Sequence, residues 1–368
     1  MNGIVDSYFE LFSDNLRLYN AIYDEIENAK EYVYIETYKF GKDSFGIKFR
    51  DILTKKRLQG VEVKLLIDGW GASVSESFFP DLIKAGGEVR FFQKLELGLR
   101  FFNKNHKRDH RKMVIIDDKI SFIGSANFTD YSINWRELNL KILGEIALRL
   151  KKIFLDNYEI ANKNFLKRLP PDKLTKMFSK FRQIVRYKDF EIICDVPSKV
   201  IQPLKKRYVE LIRDARTQII IETPYFLPSR SLRRALMNAA ERGVDVKVII
   251  PKHSDMTAVD LLRNRYVGYL SKNGVTIYLY IPRNLHAKMM LIDDQVFSIS
   301  SANFDYRSFR FQYEISLIGR DVNIIKRLNE HISGTISECE NFDYEKWLAR
   351  PLIERFAERL LMPFIHLF

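Results

Sequence analysis

The most constraining feature of this 368-residue chain is an internal repeat. The segment AKEYVYIETYKF, which contains Glu36, and the segment ARTQIIIETPYF, which contains Glu222, are both apolar runs with a shared Ile-Glu-Thr. In both copies an amphipathic helical pattern precedes the run, and a second helical pattern, a glycine turn and another apolar strand pattern follow it. Similarity in this order along the chain indicates two copies of one structural unit.

The alternation of strand and helix patterns predicts an α/β fold, in which each copy forms a mixed, mostly parallel sheet flanked by helices. We expect a first half at residues 1–160, a basic connector at 161–195, a second half at 196–340 and an amphipathic C-terminal helix at 341–368. Between Asn162 and Lys188 the connector has nine basic residues and one acidic residue. Such a run is typical of a patch that faces membrane or phosphate, and equally of a solvated linker.

Each copy also carries the same polar residues at the same spacing. A His-x-Lys pair is followed by four residues and an Asp, and a Ser-x-Asn follows a further apolar strand pattern. The members are His110, Lys112, Asp117, Ser125 and Asn127 in the first half, and His286, Lys288, Asp293, Ser301 and Asn303 in the second. Because residues two apart in a strand share one face, each His and its Lys are expected to point to the same side.

Two such sets that face one phosphate would support a two-step displacement. One neutral histidine attacks phosphorus to give a phosphohistidine while the other, protonated, donates to the leaving oxygen, and the roles then reverse. The lysines and the Ser and Asn groups would bind the phosphate and stabilise its charge, so this chemistry requires neither a metal nor a cofactor. A lone histidine of this kind is more often structural, but two in identical frames favour catalysis.

The repeated His-x-Lys-x4-Asp motif resembles that of the phospholipase D superfamily, and the resemblance covers nearly the whole chain. It implies two tandem halves related by a pseudo-twofold axis, with the active site at their interface. It also implies that an acidic residue downstream of each motif orients the histidine of the opposite half. Glu137 and Glu314 occupy those positions, which pairs His110 with Glu314 and His286 with Glu137.

The same resemblance assigns roles to the motif residues. It implies that His110 is the nucleophile, that His286 is the acid, and that Asp117 and Asp293 are structural. The family commonly has Gly before the motif Ser, and the second half departs from this with Ser300.

Further segments are similar to those of cardiolipin synthases. They are IETPYFLPSRSL, PKHSDMTAVDLLRNRYVGYL, SANFDYRSFRFQYE and LLIDGWG. This similarity implies a phosphatidyltransferase that moves a phosphatidyl group from phosphatidylglycerol, or a similar phospholipid, through a phosphohistidine to a lipid alcohol. The alternatives are a hydrolase or nuclease of the same superfamily, and a non-catalytic membrane-binding protein. The intact motifs disfavour the last, and the absence of a recognisable nucleic-acid module disfavours a nuclease.

The charge balance predicts an anionic partner. The net charge is +13, which favours an anionic phospholipid membrane or nucleic acid. The first residues do not resemble a signal peptide, and the sequence has no run of roughly 18 apolar residues. Many cardiolipin synthases begin with two transmembrane helices, so this chain would need another route to the bilayer. We expect a monomer bound peripherally to the cytoplasmic face of the membrane.

The C-terminal segment PLIERFAERLLMPFIHLF is one such route. At helical spacing it places an apolar stripe opposite its charged residues. The stripe contains Leu352, Phe356, Leu360 and Phe364, with Ile353, Ala357, Leu361 and Ile365 beside it, while Glu354, Arg355, Glu358 and Arg359 face away. The helix is expected either to anchor the protein in the membrane or to pack on its own core.

A second candidate membrane contact precedes the first motif. The segment LELGLRFFNKNHKRDH combines Phe101, Phe102, Lys104, Lys107 and Arg108. We interpret it as a lipid-access loop, which admits the lipid or contacts its headgroup. His106 and His110 have a spacing found in metal sites, but no carboxylate or thiol set accompanies them, so no metal is predicted. Cys194 and Cys339 likewise predict neither zinc nor a disulfide.

Overall fold

The computed structural model describes residues 9–93, 106–161, 184–198 and 200–367. Its strands are β1 (Phe9–Asp14), β2 (Tyr32–Thr37), β3 (Glu62–Asp68), β4 (Glu88–Phe92), β5 (Arg108–Asp109), β6 (Met113–Ile116), β7 (Ile120–Gly124), β8 (Arg136–Leu143), β9 (Ile184–Tyr187), β10 (Phe190–Asp195), β11 (Gln218–Glu222), β12 (Asp245–Pro251), β13 (Thr276–Tyr280), β14 (Met289–Ile292), β15 (Val296–Ser300), β16 (Gln312–Gly319) and β17 (Cys339–Asn341). Its α-helices are α1 (Asn15–Asn28), α2 (Ser44–Leu58), α3 (Pro80–Lys84), α4 (Glu145–Ile160), α5 (Pro203–Asp214), α6 (Arg230–Glu241), α7 (Thr257–Lys272), α8 (Tyr306–Phe311), α9 (Val322–Ser337), α10 (Tyr344–Leu348) and α11 (Leu352–Leu361). Short 3₁₀ helices lie at Glu76–Phe78, Asp130–Ser132 and Met362–Leu367.

Two sheets repeat one strand order. The first runs β4-β3-β2-β6-β7-β8-β1, and the second runs β13-β12-β11-β14-β15-β16-β10, with β17 beside β13 and β9 beside β10. This confirms a fold of two mixed sheets flanked by helices. Within each sheet the parallel ladders among the described strands are β2-β3-β4 and β11-β12-β13, and a two-residue parallel pairing joins β5 to β16 across the halves. Antiparallel ladders outnumber them, because the motif strands return as hairpins.

The repeat begins earlier than the sequence comparison indicated. Strand β1 pairs antiparallel with β8, and β10 pairs in the same way with β16. Residues 184–195 were assigned to the connector, but they form β9 and β10 of the second sheet, since Phe190–Asp195 is a fully buried segment. The preceding residues 162–183, which hold most of the basic run, lie outside the described residues.

Glycines end two equivalent helices. Gly60 follows α2 with a φ of 94°, and Gly243 follows α6 with a φ of 86°. Residues with side chains are disfavoured at such angles, so glycine lets the chain leave the helix and enter the next strand. Both turns were predicted from the sequence and are confirmed.

The two halves share one apolar core. Outer clusters hold α1 and α2 against the first sheet and α5 and α6 against the second. A third cluster joins the facing sides of both sheets with α4 and α9, through residues such as Leu140, Phe154, Ile299, Leu317 and Leu328. Removing this surface from water fixes the halves against each other. The motif strands reach the rim of that shared core.

The C-terminal pattern is divided into two helices. Pro351 lies between α10 and α11, because proline has no N–H with which to continue α10. On α11 the side chains of Leu352, Ile353, Phe356 and Leu360 are 78%, 76%, 66% and 62% exposed. None of the helices in the described ranges has the length and apolarity that a membrane span requires.

Candidate active site

The backbone of each motif histidine forms a hydrogen bond with the opposite half. The N–H of His110 donates to the carbonyl of Tyr313 at 3.0 Å, and the N–H of His286 donates to the carbonyl of Arg136 at 2.7 Å. Both acceptors immediately precede the downstream glutamates. Strand β5 adds to the first of these contacts by pairing in parallel with β16. Each half therefore positions the histidine of the other.

The side chains complete the same cross-pairing. Nδ1 of His110 lies 3.0 Å and 3.2 Å from the carboxylate oxygens of Glu314. Nδ1 of His286 lies 2.8 Å from Oε1 of Glu137. A carboxylate at Nδ1 holds the proton of a neutral imidazole on that nitrogen. Nε2 of each ring is then the nitrogen that can attack phosphorus or carry a transferable proton.

Both motif histidines are buried, and their charged neighbours make the two environments unequal. Burial lowers the pKa of His110 well below its usual value, and the nearby Lys112, Lys288 and His286 lower it further. Burial also lowers the pKa of His286, but Glu137 opposes that shift. At neutral pH the first imidazole is thus more strongly biased towards the neutral form.

The pKa values of the two paired glutamates are shifted in opposite directions. Burial raises the pKa of Glu314 to about 7, against the influence of Lys112. Burial also acts to raise the pKa of Glu137, but attraction to His286 and Lys288 holds it below the usual value. Glu137 therefore remains the stronger anionic partner for its histidine.

The motif lysines are buried beside the histidines. Nζ of Lys112 donates to the carbonyl of His110, and Nζ of Lys288 donates to the carbonyl of His286, both at 2.7 Å. Burial lowers the pKa of Lys112 to about 7 and that of Lys288 to about 8. Because a nearby anion favours the charged ammonium, binding of a phosphate would raise both values.

The motif serines lie against the strands that carry Glu137 and Glu314. The Ser125 hydroxyl donates to the carbonyl of Leu138 at 3.1 Å, and the Ser301 hydroxyl donates to the carboxylate of Glu314. Neither serine lines the cavity that contains the histidines. Their hydroxyls face the glutamate strands, and the phosphate-binding role predicted for them stays a prediction.

The motif asparagines do line that cavity. Asn127 and Asn303 are both among its wall residues. The Asn127 amide oxygen accepts the backbone N–H of Lys39 at 3.2 Å. The amide NH₂ group therefore points away from the Lys39 backbone. Amide groups of this kind can donate to an oxyanion.

The motif aspartates tie hairpin turns to neighbouring strands. The Asp117 carboxylate accepts the backbone N–H groups of Lys30, Glu31 and Tyr32 at 2.6–2.9 Å. Both members of the Asp117-Asp118 pair have a φ of 53°, which is typical of the tight turns that close hairpins.

The second half repeats this arrangement. Asp293 accepts the N–H groups of Arg216, Thr217 and Gln218. These carboxylates lie away from the histidine cavity, at the start of the strands that contain Glu36 and Glu222.

The cavity has a volume of about 240 Å³ and is lined by both histidines. The ring of Tyr38 meets His110 at 5.0 Å and that of Trp135 meets His286 at 5.1 Å between centroids. The Tyr225 hydroxyl donates to Asp255 at 2.7 Å at the same wall. None of these residues was predicted from the sequence to belong to the site. The position of both tyrosines just after the repeated Ile-Glu-Thr was the signal that could have identified them.

The predicted lipid-access loop is only partly described, since Phe101, Phe102 and Lys104 lie outside the described residues. Lys107 is exposed. Arg108 is not available to a lipid: it is fully buried, 3.5 Å from a carboxylate oxygen of Asp68, and it donates to the carbonyl of Gln93. Its assignment to a lipid-facing loop was wrong, because a buried carboxylate from β3 compensates its charge.

Two further expectations concern metals and thiols. Among the described residues, no group of three or more His, Cys, Asp and Glu is arranged to hold a metal ion. His106 lies against the ring of Phe311 at 5.1 Å. Cys194 and Cys339 are free thiols.

Comparison with known proteins places this geometry in a family. A family model described as "Cardiolipin synthase, PLD-like domain" matches residues 22–157 and 208–336. The major cardiolipin synthase ClsA of Bacillus subtilis is 30% identical over 371 residues, which cover 98% of this chain and 76% of that protein. A cardiolipin synthase of Clostridium perfringens is 31% identical, with 97% and 75% of the two chains covered.

A solved structure shares the fold. The phosphatidylserine synthase of Haemophilus influenzae superposes with a TM-score of 0.77 at 15% identity, over 98% of this chain and 93% of that one. The two matched segments of the family model correspond to the two sheets that supply the paired histidines. The chain therefore belongs to the cardiolipin synthase family of phospholipase-D-like proteins.

Proposed function

We propose that this protein is a phosphatidyltransferase of the cardiolipin synthase type. It would transfer a phosphatidyl group from phosphatidylglycerol, or a similar phospholipid, to a lipid alcohol. The observation that carries this proposal is one cavity lined by His110 and His286, each held at Nδ1 by a glutamate of the opposite half. Family membership supports a phospholipid substrate.

In the first step His110 is the nucleophile. Its Nε2 attacks phosphorus, the bond from phosphorus to the glycerol oxygen breaks, and protonated His286 donates its Nε2 proton to that oxygen. The products are phosphatidyl-His110, free glycerol and neutral His286. The lowered pKa of His110 favours the neutral nucleophile, and Glu137 favours the protonated acid.

In the second step the roles reverse. Neutral His286 removes the proton of the acceptor hydroxyl, the acceptor oxygen attacks phosphorus, and the bond between His110 and phosphorus breaks. With phosphatidylglycerol as acceptor the product is cardiolipin. Water as acceptor would give phosphatidic acid.

Charge on the phosphate is stabilised by the buried donors around it. Lys112 and Lys288 supply positive charge, and Asn127 and Asn303 supply amide donors at the cavity wall. The hydroxyls of Ser125 and Ser301 bond to the glutamate strand of their own half, and Ser301 orients Glu314 directly. Since one chain supplies both half-sites, a monomer would contain the complete set.

Incubation with phosphatidylglycerol liposomes, without metal or nucleotide, tests this function. Mass spectrometry should detect cardiolipin and released glycerol, and His110→Ala should abolish both. Phosphatidic acid alone would identify a hydrolase. Cleavage of oligonucleotides without any lipid turnover would contradict the proposal and favour a nuclease.

Peripheral attachment to the membrane is the second part of the proposal. The exposed apolar face of α11 supports it, because an amphipathic helix of this kind lies in the interface with its apolar side in the lipid. Liposome binding that is unchanged after deletion of residues 351–368 would remove this helix as the anchor.

A further inference from the structure

A basic cleft lies outside the active cavity. It has a volume of about 700 Å³ and is formed by α6, α7 and α10. Its basic residues are Arg230, Arg233, Arg234, Arg265 and Lys272, and none of the described residues that line it is acidic. Such a concentration of one charge attracts anions.

The basic residues follow the helical repeat, so they share one surface. Arg230, Arg233 and Arg234 lie on successive turns of α6, and Arg265 and Lys272 lie two turns apart on the adjacent face of α7. Within the described part of the chain, no ion pair joins Arg230, Arg234, Arg265 or Lys272 to a carboxylate. Repulsion between these like charges is unfavourable for the fold, and a bound anion would reduce that repulsion.

An aromatic wall gives the cleft a defined shape. The indole N–H of Trp347 on α10 donates to the carbonyl of Asn264 at 2.9 Å. The ring lies so close to Gly268 that a Cβ there would be 2.2 Å from Cε2 of the indole. The Arg350 guanidinium lies over the same ring at 4.0 Å. These contacts hold Trp347 beside the basic residues.

The cleft continues into an apolar surface. Leu348 lines it and is 41% exposed, and the chain then enters α11 with its exposed Phe356 and Leu360. A partner that contacts this whole surface must offer both negative charge and hydrocarbon. Phospholipid offers both, and Trp and Tyr are enriched where lipid meets water. Nucleic acid would match the arginines but would leave the apolar face in water.

Helix α7 connects this surface to the active cavity. Met256 and Val259, at its beginning, line the cavity, and Tyr269 and Lys272, near its end, line the cleft. At the rise of an α-helix, Val259 and Tyr269 are separated by about 15 Å along the axis. The C-terminal segment also runs from the cleft towards the cavity: Leu348 lines the cleft, and Ile365 packs in one cluster with Val259.

We propose that the cleft binds the phosphate of an anionic membrane phospholipid at a second site, separate from the active cavity, while the apolar face of α11 enters the same leaflet. The bilayer is thereby held beside the cavity that uses its lipids. This binding does not depend on turnover, so it stands or falls separately from the phosphatidyltransferase assignment.

The test is co-sedimentation of the full chain with vesicles of phosphatidylcholine, with and without phosphatidylglycerol. The cleft variant is Arg230→Gln/Arg234→Gln/Arg265→Gln. The matched control is Arg213→Gln/Arg216→Gln/Arg320→Gln, which removes the same charge from exposed positions outside the cleft. Binding to the anionic vesicles should weaken on the order of 100-fold in the cleft variant and far less in the control.

A Phe356→Ser/Leu360→Ser variant tests the apolar part. It should lose affinity for neutral and anionic vesicles alike, and turnover of detergent-dispersed lipid should be unchanged in it and in the cleft variant. Equal losses in the cleft variant and its control would overturn the proposal, as would unchanged binding in the cleft variant. Loss of oligonucleotide binding alone, with vesicle binding retained, would assign the cleft to nucleic acid instead.

Discussion

The two half-sites have the same backbone contacts and the same His-Glu pairing, but the residue after each motif histidine differs. In the first half it is Arg111, whose buried guanidinium donates to the carbonyls of Glu314 and Asp195 and lies 3.9 Å from Glu36. In the second half it is Ala287, which is fully buried in the shared apolar core. A buried arginine thus follows one motif histidine, and a small apolar side chain follows the other.

The glutamates of the repeated Ile-Glu-Thr, Glu36 and Glu222, also differ in their partners. Glu36 accepts hydrogen bonds from Asn157 and lies near Arg111, whereas Glu222 lies 2.8 Å from Nε2 of His331. One repeated position therefore has a different partner in each half. The His, Lys, Glu and Asn residues of the site are thus duplicated, whereas the residues behind them have diverged. That divergence supports unequal roles for the two histidines.

The largest expected effect separates those roles. His110→Ala and His286→Ala should each lower turnover of phosphatidylglycerol, by roughly 10⁴-fold or more. A phosphodiester with a p-nitrophenolate leaving group needs no proton from the acid. His286→Ala should therefore still release one equivalent of p-nitrophenolate in a burst, and His110→Ala should release none. His253→Ala, at an exposed histidine of the second half, is the control. Identical bursts in both variants would make the half-sites equivalent.

The next effect concerns the pH dependence of kcat/KM. The proposed mechanism requires protonated His286, so kcat/KM should fall as pH rises through the pKa of that residue. Glu137 raises this pKa, and Glu137→Gln should move the alkaline limb to lower pH and lower the maximum by about 10²- to 10³-fold. Glu314→Gln, which alters the partner of His110, should leave the alkaline limb in place. An equal shift in both variants would contradict the assignment of His286 as acid.

A third prediction concerns the ionic cluster of the first half. Arg111→Met should lower the free energy of unfolding by about 3 kcal/mol, because Glu36 and Asp109 lose their buried cation. Adding Glu36→Gln should restore part of the loss. Denaturant unfolding followed by circular dichroism measures both. An Arg111→Met protein as stable as the unaltered chain would show that the difference between Arg111 and Ala287 carries no energetic weight.

The smallest predicted effect is at the hairpin aspartates. Asp293→Asn should cost about 1 kcal/mol at neutral pH, because the backbone N–H groups lose a charged acceptor. Burial acts to raise the pKa of Asp293, but those N–H groups hold it below the usual value. Its contribution to stability is thus present above the unfolded pKa and lost as pH falls through the folded pKa. The two proteins should converge in acid. Asp117→Asn, with three N–H donors of its own, should cost a similar amount.

Local sequence was sufficient to find the residues that the structure brings together in the candidate site. His110, Lys112 and their second-half equivalents follow from one repeated motif, and the positions of Glu137 and Glu314 follow from the family resemblance. Strands β1 and β10 were missed, because a short strand is recognised only through the distant strand with which it pairs.

Other features depend on contacts that sequence does not reveal. Arg108 looked exposed in a basic segment, yet Asp68, far earlier in the chain, compensates its charge. The direction of the Ser301 hydroxyl depends on Glu314 in the next strand. The cavity residues Tyr225 and Asp255 come from separate loops that the fold brings together.

The pairing of each histidine with a glutamate of the other half has an evolutionary consequence. A dimer of two separate copies of one half could form both His-Glu pairs, but the two pairs would then be identical in sequence. Joined in one chain, the copies can be substituted independently. Arg111 and Ala287 differ at matching positions, a divergence that a symmetric dimer encoded by a single sequence has no means to acquire.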